Sequence, residues 1–217
     1  MHVRTVIFSI LVFAAAQLSC AAGKDHLQRG EPRLKYDHEI RYDGLVRKIL
    51  GRGWQSDVVL RTVVLPPFDP EAVVGLLRSG GIYRAFVVRP SSQIWEGSNL
   101  GLSLGHPKQS LKNVRPIYHS RVIADAVAIR IAAIYRRVLT DRRNYSTDPN
   151  LYVDTSQTTF YLAFARDESL TANMAGWGPH TEHILWLNEA LMDYARGEKS
   201  DAELTAEVTK RESKLGI

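Results

Sequence analysis

Ser103 stands in the setting that most resembles a catalytic nucleophile, because Gly101-Leu102-Ser103-Leu104-Gly105 matches the G-x-S-x-G elbow pattern. That chemistry needs small residues flanking the serine, since the strained strand-to-helix turn that lifts the hydroxyl towards a histidine leaves no room for larger ones. Asp154 with His180 or His183 would complete a triad in the usual chain order. The flanks argue against it. Trp95 to Asn99 does not read as a buried strand, and Pro107-Lys108-Gln109 does not continue as a core-packed helix. A Gly-rich loop accounts for the pattern equally well, so no catalytic residue is assigned and Ser103 marks the alternative reading, a small exported serine hydrolase.

His180-Thr181-Glu182-His183 sets two imidazoles three residues apart, with Glu189 two turns further on. Zinc proteases use H-E-x-x-H or its inverse, and this is neither. A third ligand would have to come from His119 or His106, and nothing in the spacing fixes either. Solvated histidines in the first turn of a helix explain the group, so no metal and no cofactor is expected. Arg136, Arg137, Arg142 and Arg143 suggest a phosphate site, but cations there also complement the C-terminal end of a helix dipole, and that is the reading taken. Trp54, Trp95, Trp177 and Trp186 supply flat area with a polar edge. They sit at element ends rather than at one spacing, and packing is their commoner use. Asn144-Tyr145-Ser146 fits a glycosylation sequon, a match that is incidental if the chain carries a bacterial leader.

The elements that would position these residues start from Ser120 to Arg143, the longest apolar helical pattern in the chain. Ile123, Val127, Ile131, Ile134 and Val138 form one stripe. Alanines widen the apolar surface, so a central helix of roughly 36 Å, covered around most of its circumference, is expected. Val58 to Leu65 and Ile82 to Arg89 read as strands. Between them, Pro70-Glu71 opens a stretch to Gly80-Gly81 that reads as a helix, giving a βαβ-like unit. Ile40 to Leu50 suggests a short helix, Gln93 to Trp95 a short strand, and Glu96 to Pro116 a long loop. Thr158 to Ala165 and Leu170 to Trp177 predict an antiparallel hairpin. A helix follows Gly178-Pro179 and ends at Gly197, and Ser200 with Glu203 has capping-box spacing for a last one, on which Glu207 and Arg211 are paired. The expected fold class is α+β in a single domain: a four- or five-stranded, mainly antiparallel sheet packed on the long helix and a second C-terminal helix. Residues 41–199 would form the domain, 22–40 a flexible tether, and 200–217 a peripheral helix.

Composition narrows the class of protein. At 217 residues with 45% apolar side chains the chain suits one domain with an ordinary core. The net charge of +5 is spread along the chain without the clustered Lys/Arg and interleaved aromatics of a nucleic-acid binder. Arg4 precedes an apolar run from Val6 to Ala16 and then small residues, the three-part pattern of an export leader over residues 1–21. The run is too short to span a bilayer. The single cysteine, Cys20, follows Leu18-Ser19 and resembles the lipobox of bacterial lipoproteins, with Gln17 in place of the usual leucine. Lipidation of Cys20 and simple cleavage after Ala16 or Ala21 both remain open. With no cysteine pair, neither an internal disulfide nor a cysteine-based zinc site is available.

Leu65-Pro66-Pro67-Phe68-Asp69-Pro70-Glu71, Ile94-Trp95, Val153 to Tyr161 and Gly176-Trp177-Gly178-Pro179 together resemble a loose group of uncharacterised exported proteins of Gram-negative bacteria, over roughly residues 58 to 196. Where that group reads Val-Asp-Gly-Thr-Thr-Tyr, Ser156-Gln157 interrupts the run here. The resemblance implies the periplasm or the cell envelope and a non-enzymatic role, and it carries no catalytic residue. The expected function is therefore an exported binding or interaction protein whose partner is another envelope protein. An immunity-type inhibitor of a secreted toxin is one concrete version, with a membrane tether through Cys20 where that residue is lipidated, and the binding residues are unassigned.

Overall fold

Gly80 and Gly81 both adopt positive φ, 59° and 83°, in the two-residue turn that joins strands β3 (Ala72–Ser79) and β4 (Ile82–Pro90). Two consecutive positive φ values make a turn whose twist matches that of paired strands, and Gly-Gly meets it without steric cost. The segment expected as a helix from Pro70 is therefore the strand β3, paired with β4 from Val73↔Val88 to Ser79↔Ile82. Its Val-Val-Gly-Leu-Leu run lacks alternation because both faces are covered: residues 72–77 are all buried. A continuous apolar run of this length fits a core strand and a buried helix equally well by periodicity.

The computed structural model describes residues 27–32, 34, 36–66, 69–97, 111–145, 157–165, 168–175 and 178–217. The remaining strands are β1 (Gln28–Arg29), β2 (Val58–Leu65), β5 (Pro116–Val122), β6 (Gln157–Ala165) and β7 (Glu168–Ala175). All seven strands form one sheet in the order β1-β7-β6-β2-β3-β4-β5, with every neighbour antiparallel. The α+β class holds, but a sheet of four or five strands does not. The expected count missed β3, taken as a helix, β5, hidden between the loop and the long helix, and β1, inside the expected tether.

Among the described residues four helices of more than one turn accompany the sheet: α1 (Asp37–Ile49), α2 (Asp125–Thr140), α3 (Thr181–Arg196) and α4 (Asp201–Leu215). Helix α2 is shorter than the pattern from Ser120 to Arg143 implies. Residues 120–122 belong to β5, and Ile123 N donates to Tyr83 O instead of opening the helix. Ala128, Ile131, Ile134, Tyr135, Val138 and Leu139 are buried along one side of α2, while Ile129 is 60% exposed, so solvent takes the far side. Gly197, with φ 82°, closes α3, and the Ser200–Glu203 capping box opens α4 as expected.

The sheet divides the interior into two cores. On one face Leu60, Val74, Leu76, Val87, Phe160, Leu162 and Met174 meet α2, α3 and α4. On the other, Val58, Val63, Val73, Leu77, Phe86 and Val88 meet Val46 of α1, Leu50 just after it, Ile94 and Val114. An irregularity between Val58 and Leu60 turns Val58 to the face opposite Leu60, so the expected single-sided stripe through Val58, Leu60, Thr62 and Val64 breaks at its first member. Gly75 lies against this irregularity, where a Cβ would collide with Leu60 O.

Two segments expected at the margins are built into the body. Leu27, within the stretch 22–40 expected to be a tether, is fully buried, and Gln28–Arg29 pairs with β7. Helix α4 buries Leu204 and Val208 in the first core, and its Glu212 and Thr209 accept hydrogen bonds from Arg130 of α2.

Candidate functional site: an arginine between aromatic rings

Arg61 is the interior charge of strand β2, set in an otherwise apolar Val-Val-Leu-Arg-Thr-Val-Val-Leu sequence. Strand alternation turns it away from Leu60 and Thr62, towards the face that α1 covers. There its guanidinium carbon lies 4.3 Å over the Tyr161 ring and 5.3 Å over the Trp54 ring. Tyr161 is its cross-strand partner on β6, and Trp54 ends the 3-10 turn Gly51–Trp54 that follows α1. Arg47 of α1 sits over the same indole at 5.4 Å, so Trp54 serves two cations.

The charge arrangement is uneven. Arg47 bonds Asp43 at 2.7 Å and Glu31 at 3.2 Å. Among the described residues Arg61 reaches only Glu31, at 3.9 Å, which is an ion pair too long for a hydrogen bond. Arg61 is 8% exposed, and among the described residues nothing accepts from its Nε. Burial pushes its pKa below the ordinary guanidinium value, partly offset by Glu31. An arginine remains a cation throughout the accessible pH range. The guanidinium thus lies between two aromatic rings with its Nε lacking an acceptor among the described residues, and a carboxylate is the group whose two oxygens match guanidinium donors.

A second buried polar centre on the same side is closed. Glu71 is fully buried and accepts from Tyr42 Oη at 2.5 Å, Ile94 N at 2.8 Å and Trp95 N at 3.0 Å. Instead of opening a helix of its own, as Pro70-Glu71 suggests, it caps the single helical turn Ile94–Gly97, the segment expected as a short strand. Burial and then the neighbouring carboxylate raise the Tyr42 pKa well above its usual range. On the opposite face, Thr62, Tyr135 and Asn188 bond one another in a closed, buried set.

Ser103, Asp154, His106, Cys20 and Trp177 lie outside the described residues, so the proposed triad is not positioned. His180 is exposed at the start of α3, His183 lies one turn on, and His119 is exposed on β5. Among the described residues no group of three His, Cys, Asp or Glu is placed to hold a metal ion. Arg137 and Arg143 both pair with Asp141 at the end of α2. Hydrogen bonds from Arg143 hold the Asp141 carboxyl far below its usual range. Asn144 of the sequon is buried and donates to Val138 O, so its amide is already engaged. The described tryptophans do not converge: Trp95 packs edge-on against Tyr42, Trp186 lies by Arg211, and only Trp54 belongs to the Arg61 cluster. Arg211 is also paired with Glu207, as their spacing suggests.

No helix among the described residues is long and apolar enough to cross a membrane. The class these observations define is an α+β domain whose antiparallel sheet is covered on both faces. Comparisons with known protein families, with curated proteins and with solved structures found no match.

Proposed function

We propose that the protein is an exported, non-enzymatic binding protein of the bacterial cell envelope, and that it engages an acidic group of its partner through Arg61. The observation that carries this reading is a buried guanidinium, set over the Trp54 and Tyr161 rings, with no hydrogen bond to a carboxylate among the described residues. Taking a cation out of water costs several kcal/mol, and ring faces return only part of it. A carboxylate brought in by another protein would supply the missing acceptors, and a two-point contact would fix its orientation. Another envelope protein, including a toxin held by an immunity-type inhibitor, is a partner of this kind. The leader pattern and the resemblance over residues 58 to 196 support the envelope setting.

The test combines location with chemistry. Mass spectrometry of the protein from the envelope fraction of the producing bacterium is expected to give a mature form starting at Cys20 with acyl chains, or an unmodified form beginning at Gln17 or Ala22. An intact Met1 form confined to the cytosol would contradict export. Fluorophosphonate labelling that disappears in Ser103→Ala would contradict the non-enzymatic reading and favour the hydrolase instead.

A further inference from the structure

Among the described residues strand β5 is the long unpaired edge of the sheet, whereas the opposite edge is the two-residue β1. The two bonds that bracket the β4–β5 ladder, Ser91 N to Arg115 O and Ile123 N to Tyr83 O, fix which of its residues face inward. In an antiparallel ladder that assignment alternates, so Ile117, His119 and Arg121 bond β4, and Pro116, Tyr118, Ser120 and Val122 turn their backbone groups outward. Among the described residues nothing pairs with that outer edge. Two of its outward groups are special. Pro116 has no N–H to offer, and Val122 O already accepts the Tyr194 hydroxyl at 2.6 Å.

We infer that β5 pairs with β5 of a second copy, antiparallel about a twofold axis at His119. In that register Tyr118 faces Ser120 of the second copy, and the two exchange both backbone bonds. Val122 then faces Pro116, so the absent donor meets the acceptor that Tyr194 has taken, while the Val122 N–H finds the Pro116 carbonyl. Moving the axis to Tyr118 puts Pro116 opposite the open Ser120 carbonyl, and moving it to Ser120 sets the Tyr118 N–H against the occupied Val122 carbonyl. The His119 axis is the register among these that leaves no mismatch. It also makes the interface isologous, with the same surface serving both partners.

The side chains agree with the backbone. Ile117, Tyr118 and Val122 are 46%, 40% and 49% exposed, and they are three of the nine exposed large hydrophobics among the described residues, gathered on one short strand. Across the axis Ile117 faces Arg121, whose guanidinium is tied to Asp201 and Lys199 O, so its aliphatic stem is presented to the neighbour. Tyr118 stacks on Phe86 in its own subunit.

Sedimentation velocity across a micromolar concentration series, with multi-angle scattering as a check, tests this. The wild-type chain is expected to dissociate reversibly from dimer to monomer. Ser120→Pro removes an outward N–H without touching the β4 ladder, and is expected to be monomeric throughout. Ile117→Lys sets a cation against Arg121 of the other copy and is expected to weaken the dimer at least tenfold. Ile117→Glu, at the same site, loses the apolar contact but not the charge match, and is expected to weaken the dimer clearly less than Lys does. A wild-type monomer at every concentration, or a Glu variant weakened as much as the Lys variant, would overturn the proposal even if Ser120→Pro failed to fold.

Discussion

Asn188 of α3 donates its amide hydrogen to Thr62 Oγ1 of β2 across 3.0 Å, joining residues far apart in sequence at the centre of the first core. Tyr135 of α2 closes the set, giving its proton to Asn188 Oδ1 at 2.5 Å. A phenol has one proton, so the Thr62 hydroxyl must be the donor in its 2.7 Å contact with Tyr135. Each hydroxyl gives and receives one bond, and the central strand is locked to both long helices. Asn188→Ala is expected to lower stability by about 2–4 kcal/mol, because two buried hydroxyls lose partners at once. Denaturant melts of Asn188→Ala, Tyr135→Phe and the double variant are expected to show strong non-additivity. Additive losses would mean the three groups do not act as a unit.

Glu71 offers a sharper contrast. It serves Tyr42 and two backbone N–H groups, so Glu71→Ala takes the acceptor from three donors, that of Ile94 buried and the other two half-buried, and is expected to cost about 3 kcal/mol. Tyr42→Phe removes only one donor, and should cost about 1–2 kcal/mol. Equal losses in urea melts would contradict this ranking.

Gly75→Ala is expected to destabilise the sheet by roughly 2–3 kcal/mol or more, since the new methyl would collide with backbone rather than with a side chain that can turn away. Gly51→Ala, which meets nothing within 4 Å, is the matched control and should be nearly neutral. Thermal melts of the two variants beside the wild type make the comparison, and equal midpoints for the two variants would contradict it.

Acid should weaken the fold in a defined way. Hydrogen bonds from Arg143, Arg52 and Arg130 lower the pKa of Asp141, Asp57 and Glu212 respectively. A carboxylate depressed in the folded state stabilises it fully above the unfolded pKa, about 4, and loses that contribution as pH falls through the folded value. Chemical denaturation is therefore expected to show stability declining below about pH 4, with a shallower decline in Asp141→Asn. An unchanged slope in that variant would remove Asp141 from the account.

How much of this was legible in sequence depended on how each segment meets solvent. Strand β6 alternates because one residue in two escapes the first core, and α3 carries a clean stripe and a glycine stop, so both read correctly. β3 did not, because burial on both faces erases period two. Its signal was the Gly80-Gly81 turn between two apolar runs, which reads as a hairpin as readily as a helix stop. β5 was obscured because it is mostly exposed and runs almost directly into α2. Arg61 was visible as the odd charge in an apolar strand, but its meaning rests on Trp54 and Tyr161, which only the folded sheet brings beside it. The serine and histidine motifs were the more conspicuous in sequence, and none of their described members gathers into a site.

The most direct test of the central claim is a titration of isotope-labelled protein with a short peptide ending in two aspartates, at constant ionic strength, followed at the Arg61 side chain and the Trp54 indole. Saturable shifts of both signals, abolished in Arg61→Met while the rest of the spectrum stays folded, are the predicted result. Shifts that are absent, that rise without saturating, or that persist in Arg61→Met would contradict an acidic-group site at Arg61.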